Sequence, residues 1–275
     1  MPPYYPRLDA YFDRIGYTGS REPTVDTLHQ LSLAHVTSVP FENLDILLGR
    51  GVDLDPQVIE RKIIDGRRGG YCFEQNGLFY HVLVALGYQV SLVSARVRWQ
   101  RPREFIPPRA HLFLRVEIDG QSWLVDAGIG GLSLTSALPL DDTGREYSTA
   151  HEPRRIIRED GKLFHQVRIG NEWQDLCEFT LEEMPPIDRE VANWYTSAHP
   201  ASGFRSRLFV ARATPDGRAT ILNNEFTRRD RSGRAETQIV TDSEELLAIL
   251  AQHFGLRFPS GTRFRVHGSA LPLFN

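Results

Sequence analysis

The chain has 275 residues, 41% of them apolar, with 32 Lys+Arg against 35 Asp+Glu and a net charge of −3. This excludes a nucleic-acid binder held by basic excess, and the lack of any run of about 18 apolar residues argues against a membrane-spanning helix. Two cysteines, Cys72 and Cys177, are too few for a disulfide framework or a cysteine-rich zinc site, and Met1-Pro2-Pro3-Tyr4 lacks a signal-peptide pattern, so the cytoplasm is the expected compartment.

In chain order, residues 1–88 read as helical. Residues 9–15 form a short helix stopped by Gly16, and Pro23-Thr24 opens a second in which Val25, Leu28, Leu31 and His35 share a face. The stretch 36–40 is expected to be extended, because Pro40 pushes the residue before it out of the helical region. Asp55-Pro56 caps a third helix. Gly69-Gly70 then allows a sharp turn ahead of Cys72, and Leu78, Phe79, Val82, Leu83 and Leu86 carry a helix closed by Gly87. Cys72 falls in the first turn of that helix, where unpaired backbone N–H groups and the helix dipole favour thiolate.

From residue 89 to about 178 the period becomes two. Strand-like runs at 90–97, 112–118, 122–125, 163–169 and 173–176 are punctuated by Asp119-Gly120, Asp160-Gly161 and Gly170-Asn171, which predicts an antiparallel, curled or barrel-like sheet. The stretch 132–153 has no clear period and reads as a long loop able to cover a site. Beyond Pro185-Pro186, residues 189–195 read as helical. Runs at 208–213 and 219–226 pair across Asp216-Gly217, Ser232-Gly233 marks another hairpin, and Asp242-Ser243-Glu244-Glu245 caps a last helix that ends at Gly255.

Cys72 finds partners in the second part. A tight turn at Asp119-Gly120 sets Ile118 opposite Gln121, and counting outward places Phe113 opposite Asp126. His111 shares a strand face with Phe113, so His111 and Asp126 are diagonal neighbours, about 7–8 Å apart at the backbone. Taken singly, Cys72 reads as a core cysteine, His111 as a strand-end histidine and Asp126 as a turn residue. Together they read as a nucleophilic triad in which the imidazole takes the thiol proton and the carboxylate orients the imidazole.

The stretch Arg68-Gly69-Gly70-Tyr71-Cys72-Phe73-Glu74-Gln75-Asn76 resembles the cysteine signature of arylamine N-acetyltransferases. Val39-Pro40-Phe41-Glu42-Asn43-Leu44, the strand at His111, and Leu124-Val125-Asp126-Ala127-Gly128-Ile129-Gly130-Gly131 resemble three further motifs of that family, in family order. The resemblance implies an α+β fold with a cysteine-protease-like Cys-His-Asp arrangement. Its three parts are an N-terminal helical bundle (1–88), a central antiparallel β-barrel-like domain (89–188) and a C-terminal α/β lid (189–275). It also implies ping-pong acetyl transfer from acetyl-CoA to an arylamine, hydrazine or hydrazide through a thioester on Cys72. His111 would be the general base, Asp126 its orienter, and backbone N–H groups at Cys72 and near Ala110-His111 the oxyanion donors.

By the same resemblance Phe41, Ile129 and Phe204 would line the acceptor pocket and Gly130 would lie near the coenzyme. Glu42 and Asn43 would hydrogen-bond beneath the cysteine loop, and Arg68 would pair with Glu74 to hold that loop. The implied partners are the acceptor amine and coenzyme A, with neither nucleic acid, membrane nor metal, and a homodimer is allowed. Ile129 replaces a frequent family phenylalanine and Ala110 a frequent threonine, which bears on acceptor range and coenzyme affinity. A papain-like hydrolase or transglutaminase, and a binding module with a structural Cys72, are the readings that compete with acetyl transfer.

Overall fold

The computed structural model describes residues 4–266. Met1, Pro2 and Pro3, used above to judge a leader, and residues 267–275 of the expected third segment lie outside that range.

The first part is helical: α1 (Leu8–Ile15), α2 (Val25–Ser38), α3 (Leu44–Leu47), α4 (Pro56–Glu60) and α5 (Cys72–Ala85), with α4 running straight into a π-helical turn, Arg61–Asp65. Thr24 caps α2 by accepting from the Thr27 N–H, and Asp55 caps α4 by accepting from Gln57 and Val58. Contrary to expectation, α2 continues through Ser38. Pro40 constrains its immediate neighbour alone, so Val39 (φ −105, ψ 111) leaves the helix while 36–38 stay in it. The apolar faces of α1, α2 and α5 close on one core that includes Tyr11, Leu28, Leu31, Phe79 and Val82.

The second part is a seven-stranded antiparallel sheet that nearly closes on itself. Its strands are β2 (Gln89–Val97), β3 (His111–Ile118), β4 (Gln121–Val125), β5 (Leu138–Pro139), β6 (Arg154–Glu159), β7 (Lys162–Ile169) and β8 (Glu172–Glu183), in the order β5-β4-β3-β2-β8-β7-β6. β6 escaped the sequence reading because Arg154-Arg155-Ile156-Ile157-Arg158 hides its alternation behind charge, although Arg154 and Ile156 are buried. The stretch 132–153 is mostly irregular, as expected, but Leu132, Leu134, Leu138 and Leu140 are buried in the barrel core. It therefore packs as part of the wall.

The third part places β9 (Phe209–Thr214), β10 (Gly217–Leu222), β11 (Glu225–Asp230) and β12 (Ala235–Ile239) in a second antiparallel sheet, with α6 (Pro186–Ala198) before it and α7 (Ser243–Phe254) after it. The expected strand 219–226 is interrupted: Asn223 takes a left-handed φ of 55, and Asn223-Asn224 turns β10 back into β11. This sheet has the order β1-β9-β10-β11-β12, and its first strand, β1 (Phe41–Glu42), comes from the helical part.

Candidate active site

The turn before α5 is shaped by close approach. A Cβ on Gly69 would stand 1.9 Å from the Pro40 carbonyl oxygen, and one on Gly70 would stand 2.7 Å from the Glu74 side chain. The Glu42 N–H donates to the Gly70 carbonyl at 3.0 Å, and Gln75 Nε2 to the Gly70 and Pro40 carbonyls at 2.7 and 3.2 Å. Tyr71 N–H is received by Glu74 Oε2 at 3.0 Å, which closes the first turn of α5 from its own side chain. Cys72 is thus the first residue of α5, with its backbone N–H at the positive end of the helix.

Charge pairing beneath this turn differs from the expected Arg68–Glu74 pair. Arg68 binds Glu42 (2.7 Å) and Asp45 (3.1 Å), while Lys62, carried inward by the π-helical turn, binds Glu74 (2.6 Å) and Asp45 (2.7 Å). Arg68 is taken up by Glu42 and Asp45, and Lys62, with no motif around it, takes the place that the sequence reading gave to Arg68. Burial raises the Glu74 pKa, with Lys62 pulling against it. At Asp45 the same penalty is outweighed by Lys62 and Arg68, which hold its pKa below the usual value.

The hairpin register runs as counted, from Ile118 opposite Gln121 to Leu114 opposite Val125, and Asp126 follows directly. His111 Nε2 and Asp126 Oδ2 stand 2.7 Å apart, both residues buried. Asp126 Oδ1 accepts from Asn76 Nδ2 (3.0 Å) and from the Gly128 N–H (2.9 Å). Asn76 also donates to the Leu112 carbonyl (2.6 Å) and accepts from the Ala127 N–H (2.9 Å). One buried amide therefore ties α5 to both strands that carry His111 and Asp126. Sequence reasoning gave Asn76 no role; the available signal was its place four residues after Cys72, on the same helix face.

Burial by itself would lower the His111 pKa, but the Asp126 carboxylate and then hydrogen bonding to Cys72 outweigh it and raise it to about 10. Asp126 is held low because His111, Asn76 and the Gly128 N–H overcome its own desolvation. With Nε2 taken by Asp126, Nδ1 is the ring nitrogen left for the sulfur. The Cys72 Sγ lies 3.9 Å from the Ala110 carbonyl oxygen. Cys177 is also a free thiol, but burial pushes its pKa well up, and it sits in the barrel core.

Around Cys72 the wall is aromatic. Phe41, Tyr71, Phe73 and Met184 form one cluster with it, against which Phe204 and Phe209 pack. Phe204 lies 6.0 Å, ring to ring, from both Phe41 and Tyr71. Asn43 anchors this loop by donating to the carbonyls of Phe204 (2.7 Å) and Arg207 (2.8 Å) and accepting from the Phe209 N–H (2.9 Å). The structure therefore brings Phe41 and Phe204 beside Cys72. Half-buried Ile129 packs toward the barrel core instead. Gly130 has a left-handed φ of 92, and a Cβ there would meet the Phe209 ring at 2.7 Å, so Phe209 takes the space that its missing side chain leaves. Gly128 passes closest to the cysteine: a Cβ there would lie 2.5 Å from the Cys72 Cα.

Among the described residues no three or more His, Cys, Asp or Glu side chains are grouped to hold a metal ion, and no helix is long and apolar enough to cross a membrane. What the chain does contain is a cysteine at a helix start, a hydrogen-bonded histidine–aspartate pair and an aromatic wall.

Comparison with known proteins identifies the family. A family model described as N-acetyltransferase matches residues 24–262. The chain is 43% identical over 254 residues to the arylamine N-acetyltransferase of Mycobacterium bovis, which covers 90% of this chain and 89% of that protein. The solved arylamine-N-acetyltransferase of M. tuberculosis aligns with a TM-score of 0.87 at 42% identity, over 90% of this chain and 93% of that one. The Mycobacterium marinum arylamine N-acetyltransferase, solved in complex with CoA, aligns with a TM-score of 0.87 at 38% identity, over 90% and 92% of the two chains. Sequence likeness and fold likeness extend over nearly the whole of each protein, and the chain belongs to the arylamine N-acetyltransferase family of acyltransferases.

Proposed function

We propose that this protein transfers acetyl from acetyl-CoA to arylamines, hydrazines or hydrazides by a ping-pong route through an acetyl-thioester on Cys72. The observation that carries the reading is the 2.7 Å bond between His111 and Asp126, made on the strand ends that face the first residue of α5. A histidine held cationic beside a thiol supplies a thiolate together with the proton that the leaving group needs.

In the first half-reaction the Cys72 sulfur attacks the thioester carbonyl, the carbon–sulfur bond to coenzyme A breaks, and His111 hands its proton to the departing thiolate. The exchange of one thioester for another is nearly balanced. In the second half-reaction the acceptor nitrogen attacks the acetyl-cysteine carbonyl, His111 takes the proton from nitrogen, and the Cys72 thiolate departs. Each tetrahedral intermediate places negative charge on the carbonyl oxygen. The Cys72 N–H, which has no acceptor within its own helix, and a backbone N–H near Ala110-His111 are the donors we assign to it. Asp126 stays ionised throughout and fixes the His111 ring.

The aromatic wall supports a planar aromatic acceptor, with Phe41 and Phe204 as the faces it packs against. Ile129, turned toward the barrel, is assigned to the acceptor site only through the backbone it shares with Gly128 and Gly130. Gly130 is assigned to the neighbourhood of the coenzyme, with the Phe209 ring packed against its backbone. Two free thiols and no disulfide among the described residues support a reducing compartment, and we place the protein in the cytoplasm.

Intact mass after incubation with acetyl-CoA tests the central step. One acetyl group is expected on the wild type and none on Cys72→Ala. A wild type that stays unmodified, or a Cys72→Ala protein that still gains acetyl, overturns the proposal.

A further inference from the structure

Where the two sheets meet, two buried arginines outside the catalytic trio share one half-buried carboxylate. Arg154, which opens β6, has no exposed surface, and Arg218 on β10 is 4% exposed. Glu152 lies between them. Its Oε1 accepts from Arg218 Nε at 2.7 Å, and its Oε2 accepts from Arg218 Nη2 at 2.6 Å and from Arg154 Nη2 at 3.1 Å. Each guanidinium then reaches one further acceptor: Arg154 Nη2 donates to the Leu132 carbonyl at 2.9 Å and Arg218 Nη2 to the Ser133 carbonyl at 3.0 Å.

Both carbonyls belong to the segment that begins at Asp126. It closes on itself through Leu134 N–H to the Asp126 carbonyl (3.1 Å) and Ser133 N–H to the Gly130 carbonyl (3.0 Å). Its outward carbonyls are the ones that the arginines hold, one from the barrel and one from the second sheet. The same segment has almost no slack toward the site. A Cβ would meet the Cys72 Cα at 2.5 Å from Gly128, the Phe209 ring at 2.7 Å from Gly130 and Thr220 at 3.3 Å from Gly131. A shift of a few tenths of an ångström therefore appears at Cys72 as a gap or a clash.

Burying two guanidinium groups on one carboxylate is a costly way to gain stability, because apolar side chains of similar volume commonly serve as well. Arg154 Nε and Nη1 and Arg218 Nη1 are moreover buried without a protein acceptor. What the ionic trio does, and apolar packing cannot, is hold two particular carbonyls by direction.

We propose that Glu152, Arg154 and Arg218 are positioning residues that clamp the 126–134 wall, and that this clamp sets how tightly donor and acceptor seat against Cys72 while leaving the sulfur's own reactivity unchanged. The kinetic part of this inference rests on the acetyl-transfer reading; the clamp itself does not.

The test uses Arg218→Gln and Arg218→Lys in the full chain. In Arg218→Gln, amide hydrogen exchange should quicken at residues 127–134 and stay as in wild type along α5. The KM values for acetyl-CoA and for an arylamine should rise about tenfold, the kinetic equivalent of ~1.4 kcal/mol. The pH profile of Cys72 alkylation should not move, and Arg218→Lys should recover part of the KM loss. Exchange that is unchanged at 127–134, or quickened uniformly over the chain, overturns the clamp, as does a fall in kcat with KM untouched. If Arg218→Gln fails to fold, Glu152→Gln carries the same measurements with both arginines left in place. A wild type that takes no acetyl would sink the acetyl-transfer reading, and the exchange data would still decide the clamp.

Discussion

Left to burial, His111 would be neutral at pH 7; Asp126 and Cys72 reverse that and raise its pKa to about 10, against 6.5 for a free histidine. A folded-state pKa above the unfolded one contributes stability that is fully present below about pH 6.5 and is lost as pH climbs toward 10. Asp126→Asn removes the main cause. Urea midpoints should therefore fall more steeply between pH 6 and pH 10 in wild type than in Asp126→Asn, and equal slopes would contradict this account. The same variant should lose about 10³–10⁴-fold in the rate of acetyl loading, because the imidazole loses both its charge and its orientation. Asn76→Ala is predicted to act more mildly. It leaves the Ala127 N–H and the Leu112 carbonyl without their partner, which should cost about 1–3 kcal/mol in chemical denaturation. A displaced Asp126 should slow loading about 10²-fold. The pairing of His111 with Asp126 could be read from the sequence because a two-residue turn fixes the register of their strands. Asn76 could not, since its partners at Leu112, Asp126 and Ala127 are reached only through the packing of α5 on the barrel.

At the scale of elements, α5 starts where it does because no side chain fits at Gly69 and Gly128, where backbone passes close, or at Gly70, where the Glu74 side chain does. Gly128→Ala should cost about 1–3 kcal/mol through overpacking. In whatever fraction folds, it should slow both alkylation and acetylation of Cys72; alkylation at the wild-type rate would refute the crowding argument. The cage of Lys62 and Arg68 with Glu42, Asp45 and Glu74 holds the turn from below. Lys62→Met strands the buried Glu74 carboxylate and should destabilise by about 3–5 kcal/mol. Glu74 then has a pKa further above its unfolded value, so its protonated form fits the fold at low pH, and the loss should be larger at pH 8 than at pH 5 in urea titrations. Here the sequence was legible where local rules suffice: glycine stops, the Thr24 and Asp55 caps, and the tight hairpins. It was misleading where distant packing decides. Lys62 replaces Arg68 as the partner of Glu74 because a π-helical turn, which no propensity announces, swings it inward.

On the scale of the whole molecule, the three runs of different period in the sequence correspond to helices, a barrel-like sheet and a second sheet with its helices, but the joints between them were not legible. Pairing between strands far apart in sequence leaves no periodic mark, and β1 is too short to show one. Its two residues bond to the Gly70 turn on one side and to β9 on the other, with Phe41 opposite Ala211 and Glu42 opposite Val210. Closing so long a loop is slow relative to forming helices. During refolding from urea, far-ultraviolet helical signal should therefore recover before Cys72 acquires its native alkylation rate. Simultaneous recovery would show that the cysteine turn matures without the second sheet.

That two-residue strand also has a meaning for the newly made chain. Cys72 leaves the ribosome long before Ala211 has been added, and at about 5–20 residues per second the interval is on the order of ten seconds. For that time the helix that carries the nucleophile can exist while the turn in front of it still lacks the sheet that finishes it. The nascent protein is thus expected to pass its synthesis with a dormant thiol, which on the proposed mechanism becomes an acyl acceptor when the last third of the chain arrives.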